Sequence, residues 1–176
     1  VIPSGTRART PQFSSADLKD GDKISLGDLI SAMLIGNSQE AAVAAALYMS
    51  GGNLSSIIAQ MNEKAKTVGA ENTVFTNVTG YNDRQSPAKT TLRDVVKICT
   101  YALTVDGILD RSDIAYTLLT VNGITRPLYT KNSMVESSSA YYYKRATGLA
   151  VSGDANSGFV AVSTVLNNNS RFLAVN

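Results

Sequence analysis

The hydrophobic period of this 176-residue chain changes along its length, from 3.6 residues to 2, and that change narrows its fold more than any other feature. Ser25 to Ile35 places Leu26, Leu29, Ile30, Met33 and Leu34 on one helical face, behind an N-cap pair of Ser25 and Asp28. Residues 38–50 are Ala-rich and almost continuously apolar, with Glu40 near the start, and predict a buried helix. Asn53 opens a third helix over 53–68. Its Leu54, Ile57, Ile58, Met61, Ala65 and Val68 keep the period, and Gly69 stands where a C′ glycine belongs. Thr91 and Asp94 cap a fourth helix over 91–104. Alternation then takes over. Residues 115–121, 158–166 and 171–175 read as strands, the last two joined by a hairpin turn at Asn167-Asn168-Asn169-Ser170. Helices first and strands later predict a mixed α/β chain of the α+β kind, with a helical lobe packed on an antiparallel sheet.

Residues 1–20, with Pro3, Gly5 and Pro11, read as an extended or looped lead-in to a single domain spanning 1–176. Asn72 to Asn77 is a short extended segment and Thr79 to Lys89 a loop. The formal net charge is +2 and the sixteen Lys and Arg are scattered, which argues against a nucleic-acid partner. No apolar run reaches the roughly 18–20 residues of a membrane span. The chain starts at Val1 with neither an initiator Met nor a signal peptide, as an excerpt of a longer product would.

There is no His. That removes Ser-His-Asp and Cys-His catalysis and every His-based metal site, so no metal or cofactor is expected and any catalysis falls to Ser, Lys, Tyr or carboxylates. Cys99 is the single cysteine; beside Val95, Val96 and Ala102 it reads as a structural thiol.

Four strings carry a resemblance: LKDGDKISLGDLISAMLI from Leu18, MNEKAKTVGAENTVFTNVTGY from Met61 to Tyr81, TTLRDVVKICTYAL from Thr90 to Leu103, and YYYKRATG from Tyr141 to Gly148. In this order and spacing they resemble the low-molecular-weight penicillin-binding proteins, serine D-alanyl-D-alanine carboxypeptidases of the β-lactamase-like fold. The resemblance implies a helical lobe and an antiparallel sheet with an active site between them. It also implies an extracytoplasmic, cell-wall-facing protein. The chemistry would need a Ser-x-x-Lys nucleophile helix, a Ser-x-Asn triplet in the helical lobe and a Lys-Thr-Gly on a strand.

Set against those motifs, the chain departs at each. The nucleophile helix would precede Val1. One literal Ser-x-x-Lys, Ser86-Pro87-Ala88-Lys89, falls in a loop out of family order, without the helical turn that would aim Ser at Lys. The Ser-x-Asn position holds Asn37-Ser38-Gln39, where Ser38 reads as an N-cap. The Lys-Thr-Gly position holds Ala150-Val151-Ser152, with no charge at Ala150; Lys144 and Arg145 stand nearby. Tyr141-Tyr142-Tyr143 reads as a packing feature, with stacking on a ligand as the other use.

Two functions follow from the resemblance. One is a D-Ala-D-Ala carboxypeptidase domain in peptidoglycan stem-peptide processing, inactive as this chain alone. The other is a non-catalytic module binding the cell wall or a partner. Stem peptides or muropeptides are the expected ligands, and the altered motifs argue against β-lactam binding. The family's sheet takes strands from both ends of its domain, so an incomplete sheet is expected here, completed by a second chain or a swapped element.

Overall fold

The computed structural model describes residues 1–11, 16–81, 85–154, 158–168 and 170–175, with the backbone alone at 152–154, 158 and 159. Helices α1 (Leu26–Gly36), α2 (Gln39–Ser50), α3 (Leu54–Thr67), α4 (Leu92–Ala102) and α5 (Ile108–Ser112) come first. Strands β1 (Tyr116–Val121), β2 (Ile124–Tyr129), β3 (Ala146–Asp154), β4 (Gly158–Asn167) and β5 (Ser170–Val175) follow. All named pairings are antiparallel, in a two-stranded sheet β1-β2 and a three-stranded sheet β3-β4-β5. The expected α+β order is what forms.

The helix ends explain the boundaries. Ser25 Oγ accepts from Asp28 N at 3.0 Å, Asn53 Oδ1 from Ser56 N at 3.3 Å and Thr91 Oγ1 from Asp94 N at 3.1 Å. Each side chain thereby satisfies a first-turn N–H that the helix leaves orphaned. Gly69, at φ +79, closes α3: Ala70 N donates to Ala65 O and Gly69 N to Lys66 O, the two bonds of a Schellman motif. Asp94 does more than cap. Its buried carboxylate accepts from Asn72 N at 2.7 Å and Thr73 Oγ1 at 3.2 Å, tying the segment after α3 to α4.

The main core forms where α1 and α2 pack on the β1-β2 hairpin. Leu29, Ala32 and Ile35 of α1 meet Ala41 and Ala44 of α2 and Leu119, Val121 and Leu128 of the hairpin. Ile2, Ala16 and Leu18 close it from the N-terminal side. The lead-in is extended only in part. A 3-10 turn at Arg7–Arg9 interrupts it, because the Asp20 carboxylate gathers Gly5 N at 2.6 Å and Arg7 N at 2.9 Å.

Two strands and a short helix add to the expected elements. Pro127 argues against a strand at 124–129, yet a two-stranded ribbon leaves one side of β2 without a ladder partner, where a missing N–H costs nothing. Asn122 and Gly123, at φ +55 and +79, make the two-residue turn that joins β1 to β2. β3 carries Gly148 at φ +79 beside a register shift between Ala146 and Leu149. A Cβ at Gly148 would lie 2.7 Å from Ser112 Oγ and 2.8 Å from Ser112 O, so only glycine lets α5 pack this closely on β3. The hairpin between β4 and β5 forms as expected, with Asn168 at φ +47; Asn169 lies outside the described residues. One edge of β3 and one edge of β5 carry no strand among the described residues.

Candidate functional site

The two altered triplets meet in space. Asn37 is the αL residue that ends α1, at φ +50, and Ser38 caps α2 directly behind it. The exposed Asn37 side chain reaches over to β3, where Nδ2 donates to the carbonyl oxygen of Val151 at 2.6 Å, a contact between residues 114 apart in sequence. The first position of one triplet therefore touches the middle position of the other, and the turn between α1 and α2 meets β3, the two sides between which the family resemblance puts an active-site cleft.

Ser38 is not placed as an activated serine. Ser38 is 2% exposed; its hydroxyl donates to Glu40 Oε2 at 2.9 Å and accepts from Ala41 N at 3.2 Å. Glu40 is fully buried. Both hydrogen-bonding roles of the hydroxyl are filled, away from solvent, so Ser38 works as an N-cap. Gln39 is half-buried at the first position of α2. On the sheet, Ala150 is exposed and pairs with Val162, with Val151 half-buried beside it. The side chain of Ser152 lies outside the described residues.

Two nearby arginines are engaged elsewhere. Arg145 Nη1 donates to Asn167 Oδ1 at 2.7 Å. Asn167 stands five residues along β4 from the Val162 partner of Ala150, a separation of roughly 16 Å. Arg171 Nη1 donates to Thr147 Oγ1 at 2.9 Å and Thr164 Oγ1 at 3.3 Å. Near this cluster, burial raises the Asp113 carboxyl above the usual range, with Arg171 working in the opposite direction.

The literal Ser86-to-Lys89 match forms no helix: Ser86 stands in a bend and Lys89 in an isolated bridge. Thr76 Oγ1 donates to Ser86 O at 2.8 Å, and Lys89 pairs with Val74 through both backbone bonds. Ser and Lys three apart share a face on a helix, and no helix forms over these residues. The tyrosine run is not packed as expected. Tyr141, Tyr142 and Tyr143 are 77%, 44% and 46% exposed, because the turns here are closed by backbone bonds such as Tyr143 N to Met134 O and leave the rings outside. Cys99 is half-buried, and burial pushes its thiol pKa up, away from the reactive thiolate. Among the described residues no cluster of His, Cys, Asp and Glu could hold a metal ion, and no single helix is long and apolar enough to cross a membrane.

The Asn37–Val151 contact had no signal in the sequence beyond the alignment of the two triplets. The β1-β2 hairpin had one, in Asn122-Gly123.

The fold is that of known peptidoglycan enzymes. A D-alanyl-D-alanine carboxypeptidase from Mycobacterium tuberculosis superposes with a TM-score of 0.85 at 18% identity, over 99% of this chain and 63% of its own. A mutant DD-transpeptidase from Streptomyces gives a TM-score of 0.84 at 20% identity, over 99% of this chain and 70% of its own. A penicillin-binding protein from Listeria monocytogenes in a cefotaxime-bound form gives 0.73 at 21% identity, over 86% and 57%. The chain thus spans less than two thirds of the mycobacterial protein. No curated protein sequence matches it. The D-alanyl-D-alanine carboxypeptidase family model matches residues 3–175, and the chain belongs to that family.

Proposed function

We propose that this chain is a D-Ala-D-Ala carboxypeptidase-family domain of peptidoglycan stem-peptide metabolism that binds the stem peptide and, on its own, does not cut it. The observation that carries this reading is the Asn37–Val151 bond. It joins the two sides of the family's cleft through a neutral amide where the family's Ser-x-Asn begins with a hydroxyl, beside an alanine where Lys-Thr-Gly begins with a lysine. Ala150 brings no charge to bind a carboxylate, and Ser38 is spent on capping α2. Acyl transfer needs an activated nucleophile with a base in hydrogen-bond reach, and the described residues of this cleft supply neither. A strand edge beside a cleft supplies backbone donors and acceptors for an extended peptide without any of these.

The same reading places the protein outside the cytoplasm, facing the cell wall. It also has a second chain or a swapped strand covering the β5 edge of the three-stranded sheet, since an open edge invites pairing, and leaves the β3 edge to the peptide.

The experiment is a binding and turnover assay with a synthetic stem pentapeptide ending in D-Ala-D-Ala. Saturable binding by calorimetry with no released D-Ala supports the reading. D-Ala release by the purified chain, abolished by one Ser→Ala change, overturns it.

A further inference from the structure

The cleft holds one contact that packing does not explain. Asn37 sits in the left-handed region, which disfavours most side chains and which Asn tolerates better than others. Its side chain is exposed and joins no core. What it does is donate to Val151 O at 2.6 Å. β3 has β4 along one edge and no strand along the other among the described residues. Acceptors facing β4 are used in the ladder, so an amide arriving from the α1–α2 turn meets the free edge in good geometry.

We propose that Asn37 is a gate and a specificity-determining residue of this cleft: its amide occupies the Val151 carbonyl at the free edge of β3, and an extended peptide adding to that edge must displace it. An incoming strand is held by main-chain bonds to such an edge. Here one acceptor is taken by the protein's own side chain, so a ligand competes with an intramolecular partner. A neutral hydrogen bond of this kind is worth a factor of roughly 2–10 in an equilibrium, and the ligand's apparent affinity falls by the same factor. The identity of the peptide rests on the stem-peptide reading above; the gate itself does not.

The test compares the full chain with Asn37→Gly and Asn37→Asp. Glycine keeps the left-handed turn and removes the amide. Aspartate keeps the shape and turns the donor into an acceptor that faces another acceptor. Asn37 is exposed, so both variants retain the core. Amide hydrogen exchange across residues 149–153 should rise roughly 2–10-fold in both, with α2 and α3 unchanged. The pentapeptide ending in D-Ala-D-Ala should bind Asn37→Gly tighter by a similar factor. Unchanged exchange in both variants overturns the gate whatever the peptide does. Faster exchange with equal peptide affinity in parent and variants also overturns it. Faster exchange with no peptide binding to any form supports the gate and overturns the stem-peptide reading.

Discussion

Ser38 and Glu40 face each other at the start of α2: the serine hydroxyl donates to Oε2 of a fully buried carboxylate at 2.9 Å while accepting from Ala41 N at 3.2 Å. The pair turns a serine in a family triplet into a helix cap. Ser38→Ala should therefore destabilise the chain by about 1–3 kcal/mol, by removing the cap and a hydrogen bond to a buried carboxylate. Equilibrium urea unfolding checks this. Reactivity toward acylating reagents should not change.

Asp94 should matter comparably for a different reason. Its carboxylate holds Asn72 N and Thr73 Oγ1, and the residue is 1% exposed. Asp94→Ala should cost about 1–3 kcal/mol, because it removes two hydrogen bonds to a charged, buried acceptor and unties the segment after α3 from α4. Amide exchange at Asn72 should accelerate more than exchange within α3.

Much of this fold was legible in the sequence. Three helices begin where Ser25, Asn53 and Thr91 predict and one ends where Gly69 predicts, since capping is local chemistry between residues three to five apart. β2 and β3 were not legible as strands. Pro127 is tolerated only because β2 has one partner, and Gly148 only because α5 presses on β3 through Ser112. Both reasons are tertiary. The candidate site divides the same way. Ser38 as a cap follows from its neighbours, whereas the Asn37–Val151 bond joins residues that only the folded chain brings together.

The N-terminal corner should open in acid. The Arg7 hydrogen bond lowers the Asp17 carboxyl below the usual aspartate range, and the backbone N–H groups of Arg7 and Gly5 do the same for Asp20. A carboxylate whose native pKa is lowered stabilises the fold fully above its ordinary pKa, about 4, and loses that contribution as pH falls through the native value. Amide exchange at Gly5 and Arg7, corrected for intrinsic rate, should be slow above about pH 5 and rise toward pH 2. Asp20→Asn should raise exchange at neutral pH and flatten the acid dependence.

On the function proposed above, the α1–α2 turn and β3 keep the family's arrangement without its covalent chemistry. Losing one oxyanion-type donor costs about 10²–10³ in rate; Ala150 brings no charge, Ser38 caps α2 and the Ser86–Lys89 segment forms no helix. Intact-mass spectrometry after incubation with excess benzylpenicillin tests this most directly. An unchanged mass is expected. A stoichiometric increase by one benzylpenicillin, mapped to Ser38 or Ser86 and abolished by Ser→Ala at that position, would contradict it.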